Sequence, residues 1–501
     1  MAKFLKSPWL AHHKQARTHS QLADLMSADV VIVGAGIAGI STAYFTLRDT
    51  QKRIVVLEAT RVAHGATGHN AGQLVSYFER PFHELVEEFG LDTAVQGQHD
   101  VYSAWELLAE IQKELKLKTP CLTFTGHAGI ADVNTLMSHL HDALLKQKSG
   151  IVTEQMYISE AALKGLKLSR KYSSVFLSVP HQDILDRLET KDKKYFALLA
   201  GRKGCMNSAA FTDEVARTLL TKYPSRFTIF EDSPVSRVEL SRHHADIYVD
   251  EHVVRAKRVV LCTNGFENFS IVNRAGGDID TKFHHLVRGS VGYMAAFVEE
   301  PLEYPTAISY LPKTGSRAGA YDTEPYFYIT RRPYAHTGKV AREDLVCVGG
   351  PEQLIEDTRE YSGQHVYPAT AHKAIDTFLK KTYLHLGKKL TFKFFWHGLM
   401  GYTPNGIRCV GAEPCNQVLL YNLGCNGVGI LPSIYGGQRI AQILSGDKLE
   451  PSMFDPQDQR CVQPIKLAAT QPYISHKFLI ASVIAMTVLV VARVALSAVF
   501  W

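Results

Sequence analysis

The stretch that most constrains the fold lies near the start of the chain. Residues 29–33 read Asp-Val-Val-Ile-Val, an apolar run of the kind that is buried on both faces of a parallel sheet. Gly34-Ala-Gly36-Ile37-Ala38-Gly39 follows without a break, and residues 40–47 then read as a helix. A second apolar strand at 53–57 ends at Glu58, 24 residues after Gly34. Strand, glycine turn, helix, strand and terminal acid in this register make a dinucleotide-binding unit. Gly34 forms the tight turn, Gly36 lets backbone approach a pyrophosphate, and Gly39 permits close helix–strand packing. Free N–H groups and the helix dipole favour phosphate at that helix start. Glu58 is placed to accept hydrogen bonds from ribose hydroxyls, and its charge repels a 2′-phosphate, which disfavours NADP.

The rest of the composition mostly excludes. At 501 residues the chain is about three times a typical ~150-residue domain. With 46% hydrophobic and 21% charged residues it is globular, and a mean hydropathy of −0.07 rules out a polytopic membrane protein. The net charge of +6 comes with no basic domain, so nucleic acid is not expected as a partner. Eight cysteines without any C-x-x-C fit a reducing compartment, not a zinc ribbon or disulfide scaffold. Twenty-two histidines without H-E-x-x-H or other ligand spacing predict no metal.

The loop after the second strand narrows the cofactor. Glu58-Ala59 leads into Arg61-Val-Ala-His-Gly65-Ala66-Thr67-Gly68-His69-Asn70-Ala71-Gly72-Gln73, small and glycine-rich where a nicotinamide enzyme would continue its repeats. This loop resembles the E-x6-G-[AS]-[ST]-x-x-N-x-G segment of the D-amino acid oxidase superfamily of flavoproteins. Trp396-His-Gly398-Leu-Met400-Gly-Tyr402-Thr-Pro-Asn-Gly406 is similar to that family's W-x-G…T-P-D-G. Gly424-Cys-Asn-Gly427-Val428-Gly429 resembles its strand-to-helix loop beside the flavin ring. Val235 falls in a segment like the one whose backbone clasps adenine, and residues 258–265 match V-V-x-A-T-G, which carries Thr263 and Gly265 to the cofactor. The resemblance covers residues 29–446 and implies FAD.

It also implies an α/β fold in which a Rossmann-type FAD domain is interleaved with an antiparallel-sheet substrate domain. The expected FAD parts are 29–100, 200–270 and 391–450, with 101–199 and 271–390 forming the substrate part. Residues 1–28 read as a leader and 451–477 as a linker. Helices are expected around 78–116 and 134–148, and substrate-sheet strands at 290–298, 326–332 and 345–349. Residues 478–501 form a 24-residue run with one charge, Arg493. As a helix it reaches ~36 Å, enough to cross a ~30 Å hydrocarbon core. The expectation is a single-pass C-terminal membrane anchor. His476 and Lys477 ahead of it place the catalytic domain on the cytoplasmic side.

The resemblance suggests a chemistry: oxidation of a C–N bond in an amine or amino acid, by hydride transfer to flavin N5, with hydrolysis of the imine. Electrons would pass to oxygen or a membrane quinone. A hydroxy-acid or polyol dehydrogenase and a membrane-tethered electron-transfer subunit are the alternatives. His69 stands where one branch of the family links histidine covalently to FAD. Arg332, in a strand like glycine oxidase's Y-I-x-x-R, is the first choice to pair a substrate carboxylate, and Arg288 the second. Tyr293, Tyr328 and Tyr402 are candidate wall residues. Met400 replaces an arginine of the glycine oxidase branch, which leaves room for an amine.

Overall fold

A computed structural model describes residues 6–11, 22, 26–313, 326–334, 343–387 and 390–457, and builds them into two large sheets. The first has nine strands around a parallel spine. Met26–Val33 pairs with Ile54–Leu57 on one side, and that strand pairs with Phe227–Phe230. On the other side it pairs with His252–Leu261, followed by Leu419–Leu423. Every residue of Ile54–Leu57 and Leu419–Leu423 is buried, as expected where helices cover a parallel sheet. Helix Ile37–Asp49 leaves the first strand and packs on helix Ile430–Ser445. Gly437 allows that contact, since a Cβ there would lie 2.8 Å from the Ser41 carbonyl carbon.

The second sheet has ten strands and is mostly antiparallel. Phe394–Tyr402, Arg288–Glu299, Asp344–Ile355 and Phe327–Pro333 run side by side, alternating in direction. Thr306–Tyr310, Cys121–Ile130 and Ala197–Met206 continue it. The mixed α/β architecture with two sheets, the second mostly antiparallel, is therefore as the sequence implied. The stretch expected to be helical at 78–116 divides into Phe82–Phe89 and Leu91–Leu115, broken at Gly90 with φ of +81°.

Several elements cross the expected domain limits. Phe394–Tyr402, placed with the FAD part, belongs to the second sheet, where Gly398 faces Gly292. Ala197–Met206 and Gln73–Leu74 join that sheet too. A limit at residue 100 cuts helix Leu91–Leu115, which stays with the cofactor part because the Tyr435 hydroxyl donates to Asp100 at 2.7 Å. Residues 6–11 are more than a leader: Trp9 is 2% exposed, and its indole N–H donates to the Asn70 carbonyl at 2.5 Å. Six cysteines among the described residues are free, and Cys415 is disulfide-bonded. Among the described residues no helix is long and apolar enough to cross a membrane, and the segment 478–501 lies outside them.

Candidate active site

A cavity of about 920 Å³ runs from the glycine turn after Met26–Val33 to the face of the second sheet. Its first end is built from backbone. Gly34 sits at φ +102°, and a Cβ there would lie 2.8 Å from the Cys262 carbonyl oxygen. A Cβ on Gly39 would lie 1.9 Å from the Gly34 carbonyl oxygen, so only glycine lets the helix start this close to the turn. Glu58 accepts from the Ala35 N–H at 2.7 Å and the Thr60 N–H at 3.0 Å, and burial pushes its carboxyl up. The Thr263 hydroxyl, on the same wall, is buried without a hydrogen-bond partner. A glycine cradle at a helix N-terminus, an acid at the end of the next strand and an unsatisfied hydroxyl fit a dinucleotide.

The loop at 59–73 closes the middle of the cavity and is held from three sides. Asn70 fastens it internally, donating to the Ala66 and Thr67 carbonyls and accepting from the Gly72 N–H at 2.7 Å. Asn207 caps helix Ser208–Lys222, which places the Ser208 hydroxyl to donate to Thr67 O at 2.7 Å and Asn70 Oδ1 at 3.0 Å. Residues 6–11 press from outside, Trp9 against Gly72 and Leu10 against Gly68. His69 Nδ1 lies 2.9 Å from the Gly65 carbonyl, which can only accept, so Nδ1 carries the proton and Nε2 the lone pair. Burial lowers the ring's pKa and keeps it neutral. Gly398 admits the loop, because a Cβ there would lie 2.9 Å from that of His69.

Beyond the loop the walls change from backbone to side chains. Trp396, Met400 and Tyr402 alternate along one strand, while Tyr328 comes from another, Tyr326 from just before it and Tyr77 from the segment after Gln73–Leu74. Tyr77 and Tyr326 hydroxyls meet at 3.2 Å. Two carboxylates share this end. Glu352 accepts from the Ser290 hydroxyl at 3.2 Å and the Tyr402 hydroxyl at 3.3 Å. Glu79 lies 3.2 Å from where a Gly427 Cβ would be, beside the start of helix Ile430–Ser445. Burial pushes both up to about 7, and for Glu79 the Glu352 charge adds to that. Among the described residues no lysine or arginine lines this end; Lys6 and Arg61 belong to the walls at the other end and the loop, and Arg408 is held by Asn422 at 2.7 Å.

Most expected cofactor residues reach the cavity. Gly34, Gly36, Ile37, Ala38, Glu58, Ala59, Arg61, Ala66, Thr67, His69, Asn70, Ala71, Gln73, Val235, Thr263, Gly398, Gly427, Val428 and Gly429 line it. Gly39, Gly72 and Gly265 do not; they are packing positions behind it, Gly72 for instance against Trp9. Tyr328 and Tyr402 line it as well. Arg332 and Tyr293 do not line it. Arg332 shares a strand face with Tyr328 but lies further along, its guanidinium 5.1 Å from the Trp9 ring centroid. Its neighbour Arg331 is ion-paired with Glu189. Tyr293 is 2% exposed, with its hydroxyl donating to Gln353 at 2.8 Å away from the cavity. Arg288 is exposed at the start of its strand. Sequence reasoning missed Tyr77, Glu79 and Glu352; the strand expected at 345–349 stops short of Glu352, which lies within Asp344–Ile355.

Residues 29–443 match the family described as FAD dependent oxidoreductase. The chain belongs to that family. FAD is thus its cofactor, and the cradle above is where it fits. The gamma-glutamylputrescine oxidoreductase of Escherichia coli is 30% identical over 117 residues, which are 23% of this chain and 27% of that protein. The chain thus aligns with about a quarter of this curated relative's length. Among solved structures, glycine oxidase from Geobacillus kaustophilus superposes with a TM-score of 0.57 at 13% identity, over 87% of this chain and 100% of that one. L-proline dehydrogenase from P. horikoshii gives 0.61 at 13% identity, over 87% and 98%. These likenesses establish the fold. Among the described residues no group of three His, Cys, Asp or Glu could hold a metal.

Proposed function

We propose that this flavoprotein oxidises the C–N bond of an amine or amino acid, leaving an imine that water hydrolyses. The observation that carries this is the substrate end: a tyrosine- and tryptophan-walled chamber with two carboxylates and, among the described residues, no lysine or arginine. Such walls attract and desolvate an ammonium compound. FAD, when bound, supplies the two-electron acceptor. The chain's own part is to orient the substrate against it and to set protonation. A carboxylate held up at about 7 is matched to take a proton from an incoming ammonium, leaving the neutral amine that can give up hydride. The N-terminus of helix Ile430–Ser445, with Gly427, Val428 and Gly429 on the cavity wall, favours negative charge at the cofactor.

The electrons pass to oxygen or to a membrane quinone, the chain being tethered by residues 478–501 with its catalytic part on the cytoplasmic side. Deleting those residues should release the protein from membranes, and continued pelleting rejects the tether. His69 offers its Nε2 for a covalent bond to the flavin, since Nδ1 is committed to the Gly65 carbonyl. A fluorescent flavin band on an acid-denatured gel supports the bond; complete release of free FAD rejects it. The reaction itself is tested by anaerobic addition of amines and amino acids to the FAD-loaded protein. Bleaching near ~450 nm by an amine or amino acid supports it, and bleaching only by hydroxy acids, or by nothing, overturns it.

A further inference from the structure

The reacting nitrogen of an amine must be neutral to push hydride away, so it has no lasting use for an anion. Yet the chamber holds two carboxylates, and one would suffice to take up a proton. Glu352 is anchored by Ser290 and Tyr402, while Glu79 has no hydrogen-bond partner among the described residues and turns its carboxylate surface into the cavity. The tyrosines around them donate little: Tyr77 and Tyr326 are engaged with each other, and the Tyr328 hydroxyl reaches only the Met294 sulfur at 3.8 Å. Two carboxylates that share an aromatic chamber, with no lysine or arginine among the described residues at that end, favour the entry of a cation.

We infer that the substrate carries a second ammonium that stays protonated, as in an α,ω-diamine or longer polyamine, and that of Glu79 and Glu352 one pairs with that group while the other takes the proton of the nitrogen that reacts. This rests on the amine-oxidising reading above and narrows it. It removes α-amino acids as preferred substrates: their carboxylate would face two acids, while Arg331 is ion-paired with Glu189 and Arg332 lies over the Trp9 ring, neither of them lining the cavity. The groups that face the pair agree with it. Lys203, whose charge acts on Glu79, gives its ammonium to His127 O and Ser309 Oγ, both at 3.0 Å, and burial lowers it to about 7. Tyr77, Tyr326, Tyr328 and Tyr402 are all pushed up by burial and stay neutral, and His397 is lowered to about 4 and stays neutral. Affinity for a dication should therefore rise as pH climbs through about 7 and the two acids ionise.

The test is anaerobic titration of full-length, FAD-loaded protein with 1,4-diaminobutane, butylamine and L-alanine, following both the flavin difference spectrum and heat of binding. The diamine should bind ~100-fold more tightly than butylamine at pH 8, the selectivity expected for a desolvated charge pair. That advantage should shrink to below ~10-fold in Glu79→Gln and in Glu352→Gln. On unmutated protein the same advantage should weaken from pH 8 to pH 6, which keeps the question open to measurement even if a variant fails to fold. Equal affinity for diamine and butylamine, or tightest binding by L-alanine, overturns the second-cation site while leaving amine oxidation standing. No change of the flavin with any of the three, together with no bleaching by longer polyamines or secondary amines, overturns the amine reading itself.

Discussion

The two ends of the cavity are made of different materials. At the cofactor end the contacts come from backbone: Gly34 and Gly36, the carbonyl of Cys262, the N–H groups of Ala35 and Thr60 meeting Glu58. Backbone groups do not titrate, and their positions are set by sheet and helix. At the substrate end the contacts come from side chains on separate elements, two of them acids held up at about 7 and several of them phenols. The first end is fixed by geometry, the second by charge. Substitutions at the first should therefore change whether the cofactor is held, and those at the second should change what is bound and at which pH.

The largest effect belongs to the first end. Alanine is normally the better helix residue by roughly 1 kcal/mol, so Gly39→Ala would stabilise an unconstrained helix. Here its Cβ would sit 1.9 Å from the Gly34 oxygen, and the helix has to tilt away from the turn. The expected outcome is a net loss of about 2 kcal/mol or more in stability and a protein purified without yellow colour. Urea melts and the visible-to-ultraviolet absorbance ratio check both. Full cofactor content in this variant would break the distinction between the ends.

Trp9→Ala comes next and asks whether the docked N-terminal residues belong to the cofactor end. It removes a large buried side chain, the bond to the Asn70 carbonyl and the platform under Arg332, with an expected loss of about 3 kcal/mol. Because Trp9 presses on Gly72 and Leu10 on Gly68, FAD affinity should fall with stability while diamine selectivity does not move. Arg332→Ala should lose only about 1 kcal/mol, the worth of a cation–π contact, and leave substrate affinity unchanged. A rise in KM for that variant would return Arg332 to the substrate.

How much of this was readable beforehand follows the same division. The cofactor end is written in consecutive residues, Gly34 to Gly39 and Gly65 to Gln73, because a tight turn and a phosphate cradle need particular residues at fixed spacing. The antiparallel strands near 290, 326 and 345 were legible from alternation alone. Arg332 was expected at the substrate from a likeness to Y-I-x-x-R, and such a likeness gives the order of residues along a strand but not how far along it the cavity extends. Glu79 could not be found: it sits in a short segment after a two-residue strand, and nothing local distinguishes it from Glu84 or Glu87. Trp9 was overlooked because a polar, basic leader gave no reason to expect it in the core.

A smaller effect should appear in the pH dependence of stability. Glu79 and Glu352 are raised to about 7 in the folded protein from an ordinary value of 4.5, so the fold binds protons more tightly than the unfolded chain. Their contribution is fully present below about 4.5 and is lost as pH rises through about 7. With solvent in the cavity to soften the charge, each acid should account for about 1 kcal/mol. Thermal melts of substrate-free protein between pH 5 and pH 8 should show this decline, and Glu79→Gln should flatten it. Diamine should reverse the slope, since it binds the ionised acids. A flat profile without ligand would mean that the substrate end is no more sensitive to pH than the cofactor end.

The smallest expected effect separates tyrosines that share a strand sheet but not a role. Tyr293→Phe removes a hydroxyl that donates to Gln353 at 2.8 Å and lies 2.9 Å from His365 Nε2, behind the chamber wall. Leaving those partners one bond short should cost about 1 kcal/mol of stability. Because Tyr293 is buried away from the cavity, kcat and KM should stay within about twofold, well short of the ~100-fold loss expected for a residue that transfers protons in the reaction. Tyr402→Phe removes a hydroxyl that donates to Glu352 at 3.3 Å, inside the chamber. It should leave stability nearly unchanged but raise the pH at which diamine binding develops, since Glu352 loses a donor that favours its ionised form. The pair therefore reads out location directly: a melting change without a binding change behind the wall, and a binding change without a melting change in front of it.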